Sequence, residues 1–92
     1  MYEIKRGNKF RKSYKRISNS GIFDHTILDL ILSFLLEGKE LPNNYYDHAL
    51  TGNFFGLREC HISSDCLLLY EINREEKSVR LVNIGNHANL FE

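Results

Sequence analysis

The chain's four histidines, His25, His48, His61 and His87, are its best candidates for moving protons near neutral pH. Three of them fall in the C-terminal half, where Asp65 follows His61 across a predicted tight turn. These side chains can converge at one end of a sheet if the strands that carry them are neighbours. An isolated histidine also commonly serves as a surface or hydrogen-bonded structural residue, so residue type alone leaves both roles open.

Two chemistries available to such residues are disfavoured by their spacing. Zinc ligation by His61, Asp65 and His87 would lack any HExxH or CxxC pattern, and the adjacent strand residues Cys60 and His61 should point to opposite faces. A nucleophilic Cys66 is flanked by nothing that resembles the turn of a cysteine enzyme. We therefore predict that the chain uses neither a metal nor another cofactor.

General acid–base cleavage of RNA suits the same residues. The ribose 2′-hydroxyl attacks the adjacent phosphate, so the protein must accept one proton, donate another and stabilise negative charge. Histidine suits the proton roles, arginine suits the charge, and an aromatic ring can stack a base. Side chains of these types are supplied by His48, His61, Asp65, His87, Arg58 and Phe91. Arg58 as a plain strand-surface charge and Phe91 as a core residue are the structural alternatives.

The distribution of charge points to an anionic partner although the net charge is zero. Residues 1–20 carry seven basic side chains against one acidic side chain, Glu3. Such a block can neutralise phosphates even in a neutral protein. The candidates for such contacts with RNA phosphates are Lys9, Arg11, Lys12, Lys15 and Arg16. A solvated helix face is the alternative interpretation of the same run.

The elements that must position these residues begin with a short strand and two helices. Apolar and polar residues alternate over 2–5, which predicts the strand. A basic amphipathic helix is indicated by apolar residues at helical spacing, namely Phe10, Tyr14 and Ile17. Asp24 is a suitable N-cap for a second, largely apolar helix that ends near Gly38.

The second half is predicted to form an antiparallel meander. Residues 39–53 indicate an irregular connection, and strands are expected near 55–62, 66–73 and 78–84. Residues 85–92 should leave the sheet and fold over an edge or face. We predict one α+β domain over 1–92, in the order β-α-α-β-β-β. The two N-terminal helices would pack on one face of a twisted, mainly antiparallel sheet, leaving the other face free for a ligand.

The location of the protein is predicted from features that the sequence lacks. No apolar stretch reaches the ~18 residues of a membrane span, and the first residues do not form the apolar core of a secretory signal. Two cysteines are too few for a disulfide framework. We expect a cytoplasmic protein with reduced thiols and no membrane partner.

An ordered set of motifs in residues 47–91 resembles the YafQ branch of the RelE toxin family. In chain order the set runs from Asp47-His48-Ala49-Leu50-Thr51-Gly52 to Arg58-Glu59-Cys60-His61, Ser64-Asp65, Leu67-Leu68-Leu69-Tyr70 and Gly85-Asn86-His87-Ala88-Asn89-Leu90-Phe91. The resemblance implies a metal-independent endoribonuclease that cuts translated messenger RNA in the ribosomal A site. It also implies a RelB/DinJ-like antitoxin that neutralises the toxin, and operator DNA bound only through that complex.

Residue roles follow from the same resemblance. His87 is the best candidate for direct proton transfer, Asp65 for orienting a partner, and His48 and His61 for sharing base and phosphate-binding duties. Phe91 matches the terminal aromatic of the family, and Arg58 and Asn83 are expected to contact the substrate.

Two positions depart from the family pattern. Asn83 stands where family members commonly have an arginine for the scissile phosphate, and Cys66 stands where a relative has tryptophan. Losing one such phosphate contact typically costs ~10²–10³ in rate. Either Arg58 or a lysine takes over, or the chain is a weakened or inactive toxin fold that binds the antitoxin and co-represses its operon.

Overall fold

The computed structural model describes residues 1–21 and 23–91 of the chain. Its helices and strands follow the order β1 Glu3–Arg6, α1 Asn8–Ser18, α2 His25–Leu36, β2 His48–Ala49, β3 Arg58–Ser63, β4 Cys66–Asn73, β5 Ser78–Gly85 and α3 His87–Phe91. Two short 3₁₀ helices, Asn43–Tyr45 and Gly52–Phe54, lie on either side of β2. None of the helices in the described part of the chain is long and apolar enough to cross a membrane.

The boundaries of the two long helices follow from identifiable residues. Phe10 is the buried residue of the apolar stripe of α1. The Asp24 carboxylate accepts hydrogen bonds from the backbone N–H groups of Thr26 and Ile27, at 2.9 and 3.4 Å, and so caps α2 as predicted. Gly38, just beyond the end of α2, adopts φ +69°, a left-handed conformation that glycine tolerates without strain.

The five strands form one mixed sheet in the order β1-β5-β4-β3-β2. β1 pairs with β5 in parallel, and the other neighbours are antiparallel. In the pairing of β4 with β5, Leu69 lies opposite Asn83 while Tyr70 lies opposite Leu81, so Val82 is an extra residue on β5. This bulge lies at the strand position where the sequence departs from the family pattern.

Each face of the sheet has its own apolar cluster. The face under α1 and α2 contains most of the buried residues, including Phe10, Ile31 and Leu81. The opposite face has a smaller cluster of Leu67, Leu69 and Leu90, with Leu90 supplied by α3.

The predicted α+β class, the two N-terminal helices and the mainly antiparallel sheet are confirmed. The predicted element order lacked β2, which has two residues, and α3, which has five. The expectation that no helix covers the second face was wrong, because α3 covers part of it through Leu90. A short helix is favoured there because Asn86 and Asn89 cap it reciprocally, each side-chain oxygen accepting the other residue's backbone N–H at 2.8 and 3.3 Å.

Candidate active site

The second sheet face carries most of the predicted catalytic residues. His48 lies opposite Glu59, which lies opposite Leu69. His61 lies opposite Leu67 in the neighbouring row. Cross-strand partners project to the same face, and both leucines belong to the cluster under α3. The two histidines therefore lie on the α3 side of the sheet, away from α1 and α2.

Glu59 joins these two histidines. Its Oε1 atom is 3.5 Å from Nε2 of His48 and 3.7 Å from Nε2 of His61. The Glu59 side chain is only 4% exposed, whereas His48 is 50% and His61 33% exposed. A buried carboxylate thus lies behind two imidazoles that are open to solvent. This arrangement can stabilise the positive charge that forms when either ring accepts a proton.

Tyr46 contacts both rings of this pair. Its carbonyl oxygen accepts a hydrogen bond of 2.8 Å from Nδ1 of His48, so Nδ1 carries a proton and Nε2 is the atom that faces Glu59. Its aromatic ring lies edge-on to the His61 ring, with 5.3 Å between centroids. Tyr46 therefore sets the tautomer of one histidine and borders the other.

α3 brings His87 and Phe91 to the same face. Leu90 anchors the helix in the small apolar cluster, while His87 stays exposed at its first position. The Phe91 ring is 5.0 Å from the His87 ring and 4.9 Å from that of Phe54. Phe91 is half-buried and packs against the small apolar cluster, which fits the alternative packing role, and its contact with a base stays a prediction.

Asp65 lies in the turn between β3 and β4, at the sheet end where β5 runs into α3. Asp65 lines a cavity of about 620 Å³. Arg16, Asp24, Cys66 and Asn86 also line it, together with seven further residues from α1, the α1–α2 connection, β3, β5 and α3. Asp65 and His87 are thus at one end of the sheet. No hydrogen bond or ion pair in the described part of the chain joins either of them to the His48–Glu59–His61 group.

Arg58 is held in a structural ion pair. Its Nη2 and Nε atoms donate to the Asp47 carboxylate at 2.9 and 3.2 Å. The same carboxylate accepts a hydrogen bond from the Tyr70 hydroxyl. The hydrogen bond to Asp47 raises the pKa of Arg58, and burial raises the pKa of Tyr70. This engagement argues against Arg58 as the replacement for the missing phosphate-binding cation.

Asn83 is likewise engaged within the fold. Its Oδ1 atom accepts a hydrogen bond of 2.7 Å from the Ser13 hydroxyl of α1 and one of 2.9 Å from the backbone N–H of Ile84. The residue therefore ties α1 to β5, at the bulge. Its predicted contact with substrate would involve a side chain that already has this structural role.

The predicted RNA-binding cations of α1 are all exposed, as the solvent-facing side of an amphipathic helix requires. In the described part of the chain, the six ion pairs involve none of these side chains. The five residues are Lys9, Arg11, Lys12, Lys15 and Arg16.

Sequence reasoning missed Glu59 and Tyr46 as members of the site. A signal for Glu59 existed, because it stands two residues before His61 in a strand and must share its face. No comparable signal marked Tyr46, whose position depends on how the connection before β2 folds. Within residues 1–21 and 23–91, no three His, Cys, Asp or Glu side chains are grouped so that they could hold a metal ion.

Comparison with known proteins identifies the family. Residues 2–92 match the family model described as a bacterial toxin of type II toxin–antitoxin systems, YafQ. The YafQ protein of Haemophilus influenzae is 51% identical over 56 residues, which are 59% of this chain and 55% of that relative. The mRNA interferase toxin YafQ of Escherichia coli K12 is 39% identical over 69 residues, 74% of this chain and 73% of that relative.

Solved structures give the same result over the whole fold. A metal-bound toxin from Helicobacter pylori is 36% identical, has a TM-score of 0.90, and covers 99% of this chain and 100% of its own. YafQ in the Escherichia coli DinJ–YafQ complex is 28% identical, with a TM-score of 0.85 and full coverage of both chains. The predicted resemblance is confirmed, and so is the endoribonuclease class, since relatives are named mRNA interferases. The chain belongs to the YafQ toxin family of bacterial type II toxin–antitoxin systems.

Proposed function

We propose that this chain cleaves translated messenger RNA at the ribosomal A site by acid–base catalysis that needs no metal. The observation that carries the proposal is the convergence of His48 and His61 on the buried Glu59 carboxylate, on the sheet face that also bears His87. Two exposed imidazoles beside an anion, with a third on α3, supply the proton donors and acceptors that RNA cleavage requires.

The roles divide according to environment. His48 has its Nδ1 proton fixed by the Tyr46 carbonyl, which leaves Nε2 to accept the 2′-hydroxyl proton. Glu59 then stabilises the resulting imidazolium. His87, exposed beside Phe91, protonates the leaving 5′-oxygen, and His61 assists in binding the phosphate. Asp65 orients a substrate or ribosomal group at the same end of the sheet.

In this proposal the cation for the phosphate comes from α1 at the end of the sheet, where the cavity lined by Arg16 also contains Asn86, next to His87. Arg58 is held by Asp47, and Asn83 carries no charge. Arg16 is exposed and lines the cavity that also contains Asp65 and Asn86. The remaining basic residues of α1 would contact ribosomal RNA, whose phosphates they can neutralise.

A DinJ-like antitoxin is the proposed partner that neutralises the toxin, since a YafQ of the same fold is found in a complex with DinJ. Operator DNA would be bound only through that complex. A second candidate function is an inactive toxin fold that retains the antitoxin and co-represses its operon. The engagement of Asn83 with Ser13, in place of a phosphate-facing cation, favours this second function.

Cleavage of a translated messenger RNA on purified ribosomes tests the proposal. The unaltered chain is compared with His87→Ala and with the control His25→Ala, which removes an exposed histidine that bonds Tyr14 on the other side of the sheet. We expect His87→Ala to lose at least ~10²-fold in cleavage rate and His25→Ala to stay close to the parent. Equal cleavage by the parent and His87→Ala would refute the role of His87. No cleavage by the parent, with antitoxin binding intact, would favour the second function.

A further inference from the structure

Tyr46 presents an unusually open aromatic ring next to the candidate catalytic pair. Tyr46 is 67% exposed, although its ring contacts the His61 ring and its carbonyl oxygen accepts a hydrogen bond from His48. A tyrosine that served only to pack would bury more of its ring, because burial is what makes an aromatic side chain stabilising. Most of the surface of Tyr46 is therefore left available to a ligand at the site.

The backbone of Tyr46 is held in a conformation that non-glycine residues rarely adopt. Its φ of +52° and ψ of +38° lie in the left-handed region, at the C-terminal end of the 3₁₀ helix Asn43–Tyr45. A bulky residue there costs folding free energy relative to glycine. Strain of this kind clusters at functional sites, where the surrounding structure maintains it. The position thus favours glycine for stability and carries a large aromatic ring instead.

We propose that Tyr46 stacks on the base of a nucleotide adjacent to the scissile bond and so positions single-stranded RNA over His48 and His61. This inference rests on the proposed function and adds a substrate-positioning residue to it. A ring face accepts any base, because every base has a π face, so the contact would fix the strand without strongly selecting its sequence. An unstacked base of a single strand is the form in which RNA offers such a face.

The test combines a change in the protein with a change in the RNA. Single-turnover cleavage is measured on ribosomes programmed with a normal messenger RNA and with messengers that carry one abasic nucleotide at each A-site position. The variants are Tyr46→Gly, which relieves the left-handed backbone and keeps the carbonyl, and Tyr46→Phe, which keeps the ring. Phe55→Ala is the matched control, because Phe55 is 84% exposed and has no ring contact in the described part of the chain.

On the normal messenger we expect Tyr46→Gly to cleave about 5- to 100-fold more slowly than the parent, the range found for loss of one base–aromatic stack. Tyr46→Phe and Phe55→Ala should stay within about twofold of the parent. On the messenger lacking the stacked base, the parent should fall to the rate of Tyr46→Gly, and Tyr46→Gly should lose nothing further. A role confined to holding His48 or His61 would instead slow Tyr46→Gly equally on all messengers, which overturns the proposal.

Three further outcomes are decisive. Unchanged cleavage by Tyr46→Gly, together with weaker antitoxin binding, would assign the ring to the antitoxin interface and overturn the proposal. An equal loss in Phe55→Ala would also overturn it. If the parent cleaves no messenger, the proposed function fails, and stacking is then read from the Tyr46 ring resonances on titration with a short 2′-O-methyl RNA. An upfield shift that disappears with the abasic RNA supports stacking, and no shift refutes it.

Discussion

Replacing Glu59 by glutamine removes one negative charge from the candidate site and changes little else. The side chain keeps its shape and one of its two oxygens. The carboxylate oxygen lies 3.5 Å from His48 Nε2 and 3.7 Å from His61 Nε2. If either ring becomes cationic during the reaction, Glu59→Gln therefore destabilises that state more than it destabilises the resting protein.

The size of the effect follows from these distances. At 3.5 Å two unit charges attract by about 1 kcal/mol at the dielectric constant of water and by about 5 kcal/mol at an effective value near 20. Glu59 is buried while the histidines are half-exposed, so the true value lies between these limits. Converted to a rate, the loss is roughly 10- to 10³-fold.

Single-turnover cleavage on programmed ribosomes measures this loss directly. Glu71→Gln is the matched control, since it makes the same change on β4 at a carboxylate that pairs with Arg80 instead. Thermal unfolding establishes that both variants fold. Cleavage by Glu59→Gln within about twofold of the parent would refute the idea that a histidine of this pair becomes charged in the transition state.

Two further predictions concern Asn83 and the Asp47–Tyr70 pair. Asn83→Arg should lower the free energy of unfolding by about 1 kcal/mol, because the Ser13 hydroxyl loses its acceptor, and urea unfolding measures this loss. The same variant should raise the cleavage rate on ribosomes by roughly 10²-fold, because it adds a cation at the phosphate. Failure to arrest growth by both the parent and Asn83→Arg would count against an enzyme. Burial raises the pKa of Tyr70 above its ordinary value of 10.0, so above about pH 10 the folded state keeps a proton that the unfolded state loses. The free energy of unfolding should therefore fall above about pH 10 by up to about 1.4 kcal/mol per pH unit. Tyr70→Phe should reduce that slope in urea unfolding, and an unchanged slope would contradict the assignment.

The long elements were predictable because each depends on local sequence. Helical spacing of Phe10, Tyr14 and Ile17 defined α1, and the carboxylate of Asp24 defined the start of α2. β4 was predicted with its observed ends, because turn residues lie on both sides of an apolar run. The same short-range signals cannot reveal a two-residue strand such as β2, whose hydrogen bonds come entirely from β3.

The site was predictable by residue type and only partly by arrangement. Period-two alternation places Glu59 and His61 on one face, but His48 joins them only through the register of β2 against β3. That register is a long-range property that no spacing encodes. For Arg58 the residue type suggested phosphate binding, but its guanidinium is held by Asp47, eleven residues earlier in the chain.

The charge at the scissile phosphate is the point where residue type and environment disagree most. Asn83 replaces an expected cation and, through Ser13, fastens α1 to the sheet at the β5 bulge. That same helix carries Arg16 to the cavity beside Asp65. Phosphate binding in this chain would then depend on how α1 is docked, and Asn83 would support catalysis by positioning a helix. Asn83→Arg would exchange that docking contact for a direct charge, so we expect it to lower stability while it raises the cleavage rate.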